Sequence, residues 1–97
     1  MNKIYSMLGL AKKGGNISIG YDATLFNIKN NKSELVLLAS DASDKTKKNI
    51  QFFCDQYGAK YIEYGENEVL GKCLGRKVVS VLSITDKNIA SYIINNI

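Results

Sequence analysis

The stretch that most constrains this chain is Leu35-Val36-Leu37-Leu38-Ala39, five apolar residues in a row. An uninterrupted apolar run of that length is what a central strand covered on both faces looks like. Its cover has to come from helical patterns on either side in the sequence. Before it, Ile4, Met7, Leu8 and Ala11 fall on one face of a first helix that stops at Gly14. Asn16–Ile19 reads as a short strand. A second helix runs from Gly20 or Tyr21 to about Asn30, with Tyr21, Leu25 and Ile28 on one stripe. After the run, Ser40–Asp44 offers several N-cap candidates for a helix carrying Ile50, Phe53, Cys54 and Tyr57 inward and ending at Gly58. Lys45, Lys47 and Lys48 occupy its outer face. Lys60–Glu63 reads as a third strand, and Val69, Leu70, Cys73 and Leu74 mark a fourth helix closed by Gly75. Val78–Ile84, rich in β-branched residues, is the last strand. Thr85-Asp86 then caps a final helix that buries Ile89, Ala90 and Ile93. Helices alternating with about four strands predict an α/β fold, a three-layer α/β/α sandwich around a small four-stranded mixed sheet. The 97 residues suffice for one domain, 1–97, and not for two.

Composition narrows the chemistry. Histidine is absent, and the two cysteines, Cys54 and Cys73, are far apart on apolar helical stripes. That argues against a zinc site, removes the commonest general base and leaves buried, reduced thiols as the expectation. Ser40, Ser43 and Ser80 have no histidine to activate them, so a serine nucleophile has little support. Glu63, Glu66 and Glu68 read as a solvated loop and helix start rather than a metal site. No catalytic residue, metal or cofactor is expected. The N-terminus lacks the apolar core of a signal peptide, and no apolar run is long enough for a bilayer. A cytoplasmic location with no membrane partner is the expectation. Thirteen basic against nine acidic residues give a formal charge of +4, compatible with an RNA-facing patch without being diagnostic of one.

Two segments carry features suited to phosphate. In Lys12-Lys13-Gly14-Gly15-Asn16-Ile17-Ser18-Ile19-Gly20-Tyr21, cations precede two glycines and a third glycine opens a helix. Glycine permits close backbone approach, and a helix N-terminus presents free N–H groups and a positive dipole end. The plainer reading is a helix C-cap at Gly14 with solvated lysines. The spacing lacks the Lys-Ser/Thr pair of a nucleotide-hydrolysing phosphate loop. Arg76-Lys77-Val78 follows a helix-ending glycine and is either a charged turn or a second basic element at the same end of the sheet as Gly20.

Four segments together resemble a known family: Ile17-x-x-Gly20-Tyr21-Asp22-Ala23, Leu35 through Ser43, Gly71-x-x-Leu74-Gly75, and Val81 through Asp86. Their order and spacing are similar to the kink-turn RNA-binding ribosomal-protein superfamily (L-seven-Ae and L-thirty-e). Gly9-Leu10-Ala11, Gly20-Tyr21-Asp22 and Leu38 through Ser43 look most like its small bacterial YlxQ-like branch. The resemblance covers nearly the whole chain. It implies the same α/β/α fold and an RNA site at Gly20, Tyr21, Asp22 and Ala23, with Phe26 one turn on, joined by Arg76, Lys77 and Val78. The asparagine–glutamate pair and lysine of the archaeal pattern are replaced here by Asp22, Ala23 and Phe26. Asp22 keeps acceptors but brings a negative charge near phosphate, and Ala23 offers no hydrogen bond. For this chain the resemblance therefore implies contact with the RNA backbone more than with base edges.

The leading expectation is non-enzymatic binding of structured RNA, kink-turn-like, ribosomal or other non-coding, with the ribosome as a possible partner and no DNA. Lys12, Lys13, Lys29, Arg76 and Lys77 would supply charge, the Gly20 helix start would dock on the backbone, and Val78 would pack against an unpaired base. The rival is a protein-interaction module of the translation machinery that kept the fold and lost RNA contact. A small-molecule enzyme comes third, weakened by the missing histidine.

Overall fold

The computed structural model describes residues 2–97. Its elements are α1 (Lys3–Lys13), β1 (Ile17–Ile19), α2 (Tyr21–Lys29), β2 (Leu35–Leu38), α3 (Asp44–Tyr57), β3 (Tyr61–Glu63), α4 (Asn67–Cys73), β4 (Val81–Ile84) and α5 (Lys87–Asn95). The sheet order is β1-β4-β2-β3. β4 is antiparallel to both neighbours, and β3 is parallel to β2, so the sheet is mixed.

The alternation of side chains along β2 and β4 divides the core into two layers. Leu35, Leu37, Ala39, Leu82 and Ile84 meet Ile4 and Leu8 of α1, Leu70 of α4, and Ala90 and Ile93 of α5. Val36, Leu38 and Val81 meet Ile28 of α2, and Ile50 and Cys54 of α3, on the opposite face. The run Leu35–Ala39 is fully buried because it is the strand sandwiched between these layers. Each such leucine contributes about 1.5–3 kcal/mol by leaving water.

Caps set the helix ends. Asn2 Oδ1 accepts from Ile4 N at 2.7 Å, Ser43 Oγ from Thr46 N at 3.1 Å, and Asp86 Oδ2 from Ile89 N at 2.9 Å. Asp41, one of several cap candidates ahead of α3, instead accepts from Asn67 N at 2.9 Å and so caps α4 across the fold.

The structure corrects several readings. The last strand begins at Val81, not Val78, because the segment before it gives its hydrogen bonds to a helix. Arg76 N donates to Gly71 O and Val79 N to Asn67 O, both on α4. On α2 the buried residues are Thr24, Asn27 and Ile28, while Tyr21 and Leu25 are half-buried. Asn27 faces inward because its Nδ2 donates to Ser83 Oγ at 3.3 Å and Ser83 Oγ donates to Ser33 Oγ at 2.8 Å, whereas Thr24 Oγ1 is buried with no hydrogen-bond partner among the described residues. Tyr57 is 41% exposed, its expected place against the core being filled by Ala59 and Tyr61. Val69 is exposed, since the seven-residue α4 buries the i, i+4 pair Leu70 and Leu74 instead. Ile89 is half-buried rather than buried.

The cysteines also differ from each other. Cys54 is fully buried, and burial pushes its thiol up to about 11, with Asp55 adding to the rise. Cys73 is half-buried, contrary to the expectation for it, and its thiol, raised by burial, donates to Tyr5 O at 3.3 Å. The thiolate is the reactive form, and both sites disfavour it. Iodoacetamide at about pH 8 is therefore expected to alkylate Cys73 slowly and Cys54 only through unfolding. Intact-mass spectrometry would follow it, and equal labelling rates would contradict the burial difference.

Candidate nucleic-acid interface

Gly20 sits at the point where β1 turns into α2. Its φ of 103° and ψ of 166° lie in a region that side chains exclude, so the turn requires glycine. Its N–H donates to Val81 O at 2.9 Å, and its carbonyl accepts from Thr24 N at 3.0 Å. Strand pairing and helix start thus share one residue. No side chain caps α2, which leaves its first N–H groups facing outward beside half-buried Tyr21 and exposed Asp22.

Val81 also marks the end of the loop that begins at Gly75. From there the chain folds back along α4, pinned at Arg76 and Val79, and Ser80 O accepts from Ala39 N at 2.8 Å as β4 begins. Gly20 and this loop therefore meet at the end of the sheet where β4 starts and β2 finishes. Arg76, Lys77 and Val78 are exposed, Val78 at 52%, while Val79 is buried. An apolar side chain held half in water between a cationic pair and a buried anchor has contact area available for a ligand.

The packing that shapes the loop is visible at Gly71. A Cβ there would stand 2.6 Å from Lys77 O and 2.8 Å from Arg76 O, both backbone atoms. The loop lies directly against the helix where that side chain is missing. Sequence reading found Gly71 in the family pattern without assigning it this role. Nor did it find Asn67, whose carbonyl holds Val79 from twelve residues away.

The remaining basic candidates lie elsewhere. Ile17 pairs with Ile84 and Ile19 with Leu82, so Gly14 and Gly15 enter β1 at the end opposite to Gly20. The Gly14–Gly15 pair and Gly20 are separated by the strand and do not form one loop. Lys12 reaches the root of the basic loop, its Nζ donating to Leu74 O at 2.5 Å, and Lys13 lies beside it. Lys29 closes α2, about 12 Å along the axis from its first residue, and its ammonium stands 4.8 Å from the Phe53 ring centroid. The helix geometry keeps it away from Gly20. Phe26, one turn beyond Asp22, is exposed, with Lys32 5.4 Å from its ring centroid.

Among the described residues no group of three or more cysteines and acids is placed to hold a metal, and no helix is long and apolar enough to cross a membrane. Glu63 pairs with Lys47 at 3.2 Å, which separates it from Glu66 and Glu68 at the start of α4.

Comparison with known proteins agrees with the fold. The structure superposes on a protein of unknown function from Bacillus halodurans with a TM-score of 0.93, at 26% identity over 98% of this chain and 96% of that one. It superposes on a Giardia lamblia 15.5 kDa RNA binding protein with a TM-score of 0.78, at 21% identity, a likeness of fold alone. In sequence it is 32% identical to the RNA-binding protein YlxQ of Bacillus subtilis over 94% of this chain and 91% of that protein. It is 39% identical to the large ribosomal subunit protein eL30 of Dictyostelium discoideum, covering 86% of this chain and 76% of that one. Residues 2–94 match a single family description from end to end, so the chain belongs to the ribosomal protein L7Ae/L30e/S12e/Gadd45 family.

Proposed function

We propose that this protein binds structured RNA, without catalysis, through the Gly20 start of α2 and the Arg76–Val78 loop. Kinked, kink-turn-like helices in ribosomal or other non-coding RNA are the proposed ligands, met in the cytoplasm at or near the ribosome. The observation that carries this reading is the junction of the two elements at Val81. There an uncapped helix start, two cations and an exposed valine share one end of the sheet. Relatives whose names describe RNA-binding and ribosomal proteins add support. The free N–H groups of α2 and the Arg76 and Lys77 side chains meet phosphates, and Val78 packs on an unpaired base. Lys12 anchors the root of the loop, and Lys13 adds charge beside it. Lys29 contributes long-range field at most, given its distance from Gly20.

The test is a titration against a kink-turn RNA and against the same strands with the sheared pairs replaced by Watson–Crick pairs, at two salt concentrations. Tighter binding to the kinked RNA, weakening with salt, is the expected result. Equal binding to both would remove the kink-turn specificity. Binding to neither would favour the protein-interaction module, the reading that the Asp22 and Ala23 replacements support.

Asp22 supplies a sharper measurement. It is exposed in the first turn of α2, where a carboxylate favours the helix but repels phosphate. Asp22→Asn is expected to tighten RNA binding by about fivefold, or ~1 kcal/mol, while lowering the stability of the free protein by about 0.5 kcal/mol. Weaker binding at both salts would show that the carboxylate accepts a hydrogen bond from the RNA.

A further inference from the structure

A groove of about 740 Å³ between α1 and α4, within the range of functional pockets, is separate from Gly20 and the exposed face of the basic loop. Gly9 lines it, and a Cβ at that position would meet Cys73 O at 3.8 Å, an ordinary contact that an added methyl would tolerate. Leu10, on the groove wall, is 60% exposed, an apolar side chain with no covering residue among those described.

The rim has one sign of charge. Lys12, Lys13 and Lys72 line the groove, and none of its lining residues is acidic. Lys12 is engaged with Leu74 O, while Lys13 and Lys72 are exposed at the two helix ends, with no carboxylate partner among the described residues. The floor offers little to a nucleobase. Its one aromatic ring, Tyr5, stands 5.6 Å from Tyr64 in a tilted pair, and its hydroxyl lies where a Cβ on Gly65 would approach to 2.8 Å. Stacking on single-stranded RNA needs an open ring face. An apolar trough between two helices is instead where a third helix packs, its ridge of side chains seated in the groove.

We propose that the α1–α4 groove docks an acidic, amphipathic helical segment of a protein partner. Apolar residues at i, i+3 or i+4 and i+7 cover Leu10 and the space over Gly9, and flanking carboxylates meet Lys13 and Lys72. Charge complementarity selects the partner, because a basic or neutral helix would leave two cations facing it without compensation. Leu10 and Lys72 lie outside the RNA surface proposed above, while Lys13 is shared with it, so Leu10→Glu is the variant that tests the groove apart from the RNA reading.

The test uses random peptides of roughly 16 residues displayed on phage and panned against the full chain, with depletion on Leu10→Glu protein. The strongest binder is synthesised and its affinity measured by fluorescence anisotropy. Enriched peptides are expected to be acidic with apolar residues three and four apart. Their affinity is expected to fall about tenfold or more with Leu10→Glu, and likewise with Lys13→Glu plus Lys72→Glu. All three positions are exposed, and thermal unfolding of the variants near that of wild type establishes that the fold is intact. Enrichment of basic or neutral peptides, or equal affinity for wild type and variants, overturns the proposal. A single-stranded uridine oligonucleotide that displaces the peptide assigns the groove to RNA and overturns it too.

Discussion

Gly71→Ala is expected to destabilise the protein by about 2–3 kcal/mol and to weaken RNA binding beyond what that loss accounts for. A Cβ at this position would sit 2.6 and 2.8 Å from the carbonyl oxygens of Lys77 and Arg76. Both neighbours are backbone, so neither can rotate aside, and overpacking at a rigid contact costs about 1–3 kcal/mol. The way to relieve it is for residues 76–78 to lift from α4, breaking the bond from Arg76 N to Gly71 O. The displaced segment is the one proposed to meet RNA. Urea unfolding would measure the first effect and RNA titration well below the transition the second. Gly58→Ala is the control. Gly58 has a positive φ of 74°, unlike the helical Gly71, but has nothing within 4 Å of its missing Cβ and caps α3 away from the loop. It is expected to cost about 1 kcal/mol and to leave RNA affinity unchanged. Equal RNA losses from the two substitutions would show that the loop's seat on α4 does not matter.

The other large effect concerns the cations themselves. Replacing Arg76 and Lys77 together by alanine is expected to weaken RNA binding about a hundredfold at low salt, roughly 3 kcal/mol for two charge-assisted contacts. The plot of log affinity against log salt should become shallower by about two, because two fewer phosphates are neutralised. Both side chains are exposed, so the fold is expected to survive. A loss of affinity with an unchanged salt slope would mean that these residues shape the loop rather than meet phosphate. No loss at all would remove the loop from the interface.

The sequence was most informative where one residue type has one physical use. Five apolar residues at Leu35–Ala39 forced a strand buried on both faces, and two layers of helices followed from it. Gly20 opened a helix as expected, and the glycine at Gly58 stops α3 in the left-handed conformation. The reading failed where apolar character and burial part company. Val78 and Val79 extended the pattern of β4 by composition, yet one faces solvent and the other packs under α4. The stripe read for α2, Tyr21, Leu25 and Ile28, left out Thr24 and Asn27, and the partners that bring Asn27 inward, Ser83 and Ser33, come from distant segments. Distance in sequence also hid the contact of Lys12 with Leu74, 62 residues away, and with it the groove between α1 and α4. Lysines adjacent to glycines suggested a single loop for phosphate, but the three-residue β1 puts Gly14 and Gly15 at the end of the sheet opposite Gly20.

The position of β4 in the sheet has a consequence for the order in which the molecule is built. β4 is the last strand among the described residues and the neighbour of β1 there, lying between β1 and β2. Until it emerges during synthesis, β1 has no strand to pair with and Gly20 has no Val81 carbonyl to bond. A nascent chain can form α2, but the turn that aims it stays unfixed. The closing contact spans 61 residues from Gly20 to Val81, a long-range pairing of the kind that slows folding. Such chains fold as whole units rather than piecemeal. The proposed RNA surface is therefore complete only once β4 has paired with both β1 and β2. An unfinished chain, still tethered to a ribosome full of RNA, carries the basic residues but not the surface that would let it hold on.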